Sequence, residues 1–141
     1  MANFSNPESV TAAIAEVLNS TARSGWVLVG YENDSSLVLQ GKGTGGPEEV
    51  RDHLQDDKVQ YFIVRVFYPK DNAETTRDVF VAWTGPKVAR VAAAKKATHA
   101  GVVQSVLKPS HAQITCVNKN KLTLGEVLDK SAPLSGSHHI E

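Results

Sequence analysis

The residues able to carry chemistry are few and poorly spaced for catalysis. The chain has five histidines, His53, His99, His111, His138 and His139, and one cysteine, Cys116. No histidine stands with a cysteine or a carboxylate at zinc-ligand spacing. Cys116 falls in a strand pattern, where a free thiol is ordinarily buried and inert. A partnership with His111 or His99 would be needed to make it a nucleophile. The stretch G-K-G-T-G-G at 41–46 looks like a phosphate loop. It lacks the upstream glycine, at four residues' distance, and the helix opening directly on the phosphates that such a loop requires. It reads as an ordinary mobile loop. The carboxylates scatter over loops and helix surfaces, so no paired-acid site is expected. Neither an enzyme nor a metal or cofactor is expected.

What remains is charge, and it is concentrated. From Trp83 to Leu107 the chain reads W-T-G-P-K-V-A-R-V-A-A-A-K-K-A-T-H-A-G-V-V-Q-S-V-L. This is the longest helical pattern present, rich in alanine and basic residues that favour helix. Pro86 suits a first helical turn, where its missing N–H is harmless. Lys87, Arg90, Lys95 and Lys96 stand here with no acidic residue. The whole chain is neutral, with 15 basic and 15 acidic residues, yet Val79 to Gly125 carries seven basic residues and no carboxylate. Met1 to Asp78 carries 7 basic against 12 acidic residues, and Glu126 to Glu141 one against three. Such asymmetry predicts a partner with an acidic surface without saying whether it is protein, nucleic acid or lipid.

The elements that must position this helix follow from length and periodicity. With 141 residues the chain suits one domain and needs no disulfide to hold it. One cysteine makes a reducing compartment the default. M-A-N-F-S-N-P-E-S has neither a basic nor an apolar region of secretory type, and no apolar run reaches membrane-span length, so a cytosolic protein is expected. The pattern predicts a capped helix over Glu8–Leu18 with Val10, Ile14, Val17 and Leu18 inward. A strand pair is predicted over 26–31 and 36–40, and a short helix over 47–54. K-V-Q-Y-F-I-V-R-V-F-Y at 58–68 is apolar on both faces and predicts a central strand. A polar hairpin loop over 69–76, a partner strand over 77–84 and the long helix follow. The remainder reads as a strand over 111–117, a basic loop over 118–121, a final helix over Leu122–Lys130 and a flexible tail over 131–141. The expectation is an α+β domain over residues 1–130, its central mixed, mostly antiparallel sheet flanked by helices on both faces.

The long helix contains an inconsistency. Its apolar stripe collects Val88, Val91, Ala92, Val102, Val103 and Val106, but Lys95 and His99 fall inside that stripe. A charge in a buried face is costly. Either Lys95 snorkels past the sheet edge, or the helix kinks between Ala97 and Gly101 and its first half stands clear of the core. The second account presents Arg90, Lys95 and Lys96 to a partner, whereas charge alone is equally served by a solvated face.

The unit D-V-F-V-A-W-T-G-P-K-V, preceded by V-Q-Y-F-I-V-R-V-F, resembles the actin-depolymerising factor homology (ADF-H, cofilin-like) domain, and within it the coactosin-like branch. Arg65 upstream of Trp83-x-Gly85 carries the match, and the element order agrees from about Glu8 to Lys130. The resemblance implies a sheet sandwiched by helices and binding to actin. It implies two surfaces: the first half of the long helix with the N-terminal region, and the hairpin before the Trp83 strand with the C-terminal helix, the latter meeting filaments. Arg77 matches the branch's basic residue before that strand, and Lys95 the basic residue of the long helix, with Arg90 and Lys96 adding charge. Lys119, Lys121 and Lys130 fall where the filament surface is expected. Gln104 replaces a family lysine. The depolymerising branch's N-terminal serine has only Ser5 near its place, and its K-x-K-M helix signature is absent, which favours filament binding over severing or monomer sequestration. The resemblance thus implies a monomeric, non-catalytic protein of the cytoplasm and cytoskeleton that binds F-actin and regulates filament dynamics, and binds actin monomer weakly. The alternative is a module for anionic phospholipid or nucleic acid using the same basic helix. Nucleic acid is disfavoured by the scarcity of aromatics in the basic segment and a pI of about 7.0.

Overall fold

The computed structural model describes residues 3–18, 24–33, 36–70, 73–107, 112–116 and 137–140. Strand β1 (Asn3–Phe4) precedes helix α1 (Pro7–Val17), which is capped at Asn6 by a side chain that accepts from the Ser9 N–H. Strands β2 (Gly25–Tyr31) and β3 (Ser36–Gly43) follow, then the short helix α2 (Pro47–Arg51). The long hairpin β4 (Val59–Lys70) and β5 (Ala73–Thr84) leads to α3 (Arg90–Ala97) and α4 (Ala100–Val106). Strands β6 (Ala112–Cys116) and β7 (Ser137–Ile140) complete the sheet.

The sheet order is β1-β3-β2-β4-β5-β6-β7. Its centre, β3-β2-β4-β5, is antiparallel, while β1, β6 and β7 add in parallel at the edges. Strand β4 alternates between two cores, as its two apolar faces predict. Phe62, Val64 and Val66 pack with Trp26, Leu28, Val81, Trp83 and the α2 side on one face. Tyr61 and Ile63 pack with Val27, Val29, Phe80, α1, Val103 of α4 and Leu107 just beyond it on the other. Helices therefore cover both faces of an α+β sheet.

Several boundaries differ from the sequence reading, each for a tertiary reason. Gly41, Lys42 and Gly43, expected in a loop, belong to β3 and pair with Leu28, Val27 and Trp26. The Trp26 indole lies so close to the two glycines that a Cβ on Gly43 would sit 2.7 Å from the ring. Lys42 pairs with Glu16 rather than facing a phosphate. The hairpin strands run on through Lys70 and from Ala73, shortening the expected loop over 69–76, because ladder hydrogen bonds between main chains do not need apolar side chains. Pro86 lies before the helix, not in its first turn. The Gly85 N–H donates to the Lys58 carbonyl at 3.0 Å and the Lys87 N–H to the Asp56 carbonyl at 2.8 Å, and these ties hold 85–87 off helical geometry. Residues 137–140, assigned to a flexible tail, form β7 on β6; an edge strand is held through its main chain, so a polar segment suffices. The expected basic loop over 118–121 and helix over Leu122–Lys130 lie outside the described residues.

Candidate functional site

The long helical pattern is broken in two, and the break decides the site. Thr98 and His99 separate α3 from α4. The chain tightens there: the His99 N–H donates to the Lys96 carbonyl at 3.0 Å and the Thr98 hydroxyl to the Lys95 carbonyl at 2.7 Å. Such i to i+3 closure is the ordinary way a helix ends. Beyond the break α4 buries Val103 completely and leads into the buried Leu107. Before it, α3 buries none of its residues.

This selects the second of the two accounts of the stripe. Lys95 does not thread past a core; it is exposed, as are Lys87 and Arg90. Val91, expected inward, is 73% exposed. With the helix broken the stripe is not continuous: Val91 stands in solvent, while Val88 before α3 and Val103 and Val106 of α4 pack against the core. Lys95 and Lys96 lie in the last turn of α3, where cations suit the negative end of the helix dipole. Lys96 is half-buried, and its ammonium stands 4.6 Å from the centroid of the Tyr31 ring. That is cation–π distance.

Beneath the break lies a polar cluster that the sequence did not signal. The Tyr61 hydroxyl donates to the Lys96 carbonyl at 2.8 Å. It also meets the Tyr31 hydroxyl at 3.1 Å, and Tyr31 meets His99 Nδ1 at 2.7 Å. Burial, reinforced by the bond to Tyr61, pushes the Tyr31 phenol well above the usual tyrosine range. Burial also raises Tyr61. Both therefore remain hydroxyl donors at any physiological pH. His99 is held below its ordinary pKa, by burial first and with the Lys96 charge adding to it. Next to the cluster a cleft of about 260 Å³ separates the start of α3 from the ends of β2 and β4, with Tyr31, Lys58, Lys87, Val88 and Lys96 on its walls.

The residues singled out from sequence do not form one patch. Arg90, Lys95 and Lys96 share α3. Arg77 lies in β5 opposite Val66, seven residues before the strand's end at Thr84. At about 3.4 Å per residue that is roughly 24 Å along the strand, towards the hairpin tip and away from where the chain enters α3. Lys119, Lys121 and Lys130 lie outside the described residues. Gln104 is half-buried on α4. The hairpin is braced one residue from Arg77 by Arg65 and Asp78. Arg65 Nε donates to Asp78 Oδ1 at 2.6 Å, and the Nη2 to Oδ2 at 3.0 Å. This bidentate pair raises the arginine further. Opposite it, Trp83 Nε1–H donates to the Gln55 carbonyl at 2.9 Å, fixing the strand end from which the basic segment departs.

Residues 3–132 match the family described as cofilin/tropomyosin-type actin-binding proteins. Coactosin of Dictyostelium discoideum is 30% identical over 140 residues, covering 99% of this chain and 95% of its own. The crystal structure of human coactosin-like protein superposes with a TM-score of 0.82 at 18% identity, covering 93% of this chain and 98% of that one. The structure of mouse coactosin, an actin filament binding protein, superposes with a TM-score of 0.75 at 17% identity, covering 96% of this chain and 93% of that one. At these identities the two structures speak for the fold.

Proposed function

The chain belongs to the cofilin/tropomyosin-type actin-binding family, in its coactosin branch, and from that premise we infer that it binds actin and regulates filaments without catalysis. We propose further that it prefers filaments to monomers and acts as a monomer in the cytoplasm, on the cytoskeleton. The observation that carries the reading is α3: a helix with no buried residue, holding Arg90 and Lys95 in solvent inside a segment without one carboxylate. A helix held clear of its own core in this way is suited to an acidic partner, which it attracts from a distance and orients. Arg90, Lys95 and Lys96 form one contact surface in this proposal. Arg77 on the hairpin, with Lys119, Lys121 and Lys130, forms the other. Mouse coactosin's description as a filament binder supports the preference for filaments. No feature favours acidic phospholipid beyond these same lysines, so lipid enters only as a control.

Co-sedimentation with polymerised actin tests the proposal. The wild-type protein should pellet with filaments, and less so as ionic strength rises and the screening length shrinks to about 10 Å at 0.1 M. The double variant Arg77→Glu, Lys95→Glu should bind at least roughly tenfold more weakly, a loss of about 1.4 kcal/mol. Wild-type protein left in the supernatant at every salt concentration would refute filament binding. Flotation with acidic vesicles but no pelleting with filaments would transfer the basic face to lipid.

A further inference from the structure

Because α3 has no fully buried residue, core packing does little to set its direction. Its N-terminal side is anchored by the ties of 85–87 to Asp56 and Lys58 and by Val88 against the core, and its C-terminal end by the chain continuing into the buried α4 and by the polar cluster. The proton count of that cluster is restrictive. A tyrosine hydroxyl has one proton to give and can accept from others, whereas a backbone carbonyl only accepts. The contact of Tyr61 with the Lys96 carbonyl at 2.8 Å therefore uses the Tyr61 proton. The contact between the two hydroxyls at 3.1 Å must then be donated by Tyr31. With the Tyr31 proton spent, the 2.7 Å contact with His99 requires Nδ1 to be the donor. If Tyr31 instead gave its proton to the imidazole, two hydroxyl oxygens would face each other with no proton between them, and in a half-buried site that arrangement is costly.

We propose that His99, which rests on the filament-binding reading only for its consequence, is a positioning residue for the basic face: it carries its proton on Nδ1 and heads a one-way relay through Tyr31 and Tyr61 to the carbonyl of Lys96. None of the three needs to touch the partner. Together they fix the end of α3 and with it the directions in which Arg90 and Lys95 point. Tyr31 serves twice, since its ring also carries the Lys96 ammonium at 4.6 Å. The relay joins β2, β4 and the helix break, three places far apart in sequence, so it anchors the exposed half-helix to the two central strands. Protonation of His99 takes place at Nε2 and leaves the direction of the relay unchanged. If the pinned pose is the binding-competent one, its fractional population divides the apparent affinity.

The test has two independent readouts on the full chain. Nitrogen chemical shifts of the imidazole rings, with His99 assigned by its loss in His99→Asn, report the tautomer at pH 8. The wild type should show Nδ1 protonated and Nε2 bare, and Tyr31→Phe, which keeps the ring under Lys96 but removes the link, should lose that preference. Filament affinity should fall roughly threefold to tenfold in Tyr31→Phe and in His99→Leu. His99→Asn, whose amide donates from near the place of Nδ1, should keep affinity within about twofold of wild type. Thermal melting of each variant separates positioning from general destabilisation. A wild-type Nε2–H tautomer overturns the relay. Wild-type affinity in both Tyr31→Phe and His99→Leu overturns the positioning role, whatever happens to melting. If the wild type binds no filament, the functional reading has failed, and the tautomer alone then decides whether the relay exists.

Discussion

Truncating Asp78 to alanine should destabilise the domain more than any surface change on it. Asp78 accepts two hydrogen bonds from Arg65, at 2.6 and 3.0 Å, and the two side chains are 2% and 11% exposed. Burying two charges costs nearly as much as their attraction returns, so the pair itself adds little net stability. Removing one partner is different, because it takes both charge-assisted hydrogen bonds of the pair away from a guanidinium that is only 11% exposed. For a buried pair that cost is about 3–5 kcal/mol, roughly a fifth or more of the roughly 5–15 kcal/mol that holds a typical domain together. With a urea m-value of roughly 1–3 kcal/mol/M, the midpoint should fall by roughly 2 M. The companion variant Arg65→Met, Asp78→Leu removes both charges and should lie within about 1 kcal/mol of wild type. Urea unfolding followed by tryptophan fluorescence measures both, since Trp26 and Trp83 are buried in the same core as the strands that carry the pair. An Asp78→Ala loss below about 1 kcal/mol, or a double variant no better than the single, would refute the reasoning. The hairpin that carries Arg77 depends on this brace, so filament binding should be assayed with the charge-free pair before any loss is assigned to Arg77 itself.

Other outcomes follow from local geometry. Gly85→Ala should cost at least roughly 2 kcal/mol by thermal or urea unfolding, because a Cβ there would lie inside the van der Waals shell of the Asp56 carbonyl. A result near zero would mean that the segment before β4 gives way freely. In an alkaline absorbance titration Tyr31 and Tyr61 should ionise only with unfolding. Their folded pKa values are raised, so the stability they contribute is complete below about pH 10 and is lost above it. Ionisation of all three tyrosines near pH 10 in folded protein would refute their burial as donors. His99 behaves in the opposite sense. Its folded pKa lies below the ordinary 6.5, so its contribution is complete above pH 6.5 and declines as the pH falls through the folded value. A pH series of melting temperatures should lose that component in His99→Asn, and an unchanged slope would contradict the desolvation of the ring.

Much of the architecture was legible in the order of residues. Tyr61 to Val64 is apolar at successive positions, and only a strand covered on both sides can use that, which places β4 at the centre. Seven cations without a carboxylate from Val79 to Gly125 are a fact of composition, and they point to an acidic partner in any fold. Lys95 and His99 inside an apolar stripe signalled a discontinuity, because a continuous helix would have had to bury charge. The sequence left open which of two physical escapes the chain takes. Only the tertiary structure decided that α3 stands clear, because the deciding bond comes from Tyr61, 35 positions away from the Lys96 carbonyl it meets. Val91 is exposed with the rest of that half-helix, which a count of 100° steps along one continuous helix could not show. Pro86 begins no helix, because Asp56 and Lys58 claim the neighbouring N–H groups from across the sheet end. The relay from His99 through Tyr31 joins residues 68 apart. Periodicity reports which face a residue occupies along its own element, whereas hydrogen bonds between elements depend on which strands become neighbours, and the register of folding alone supplies that.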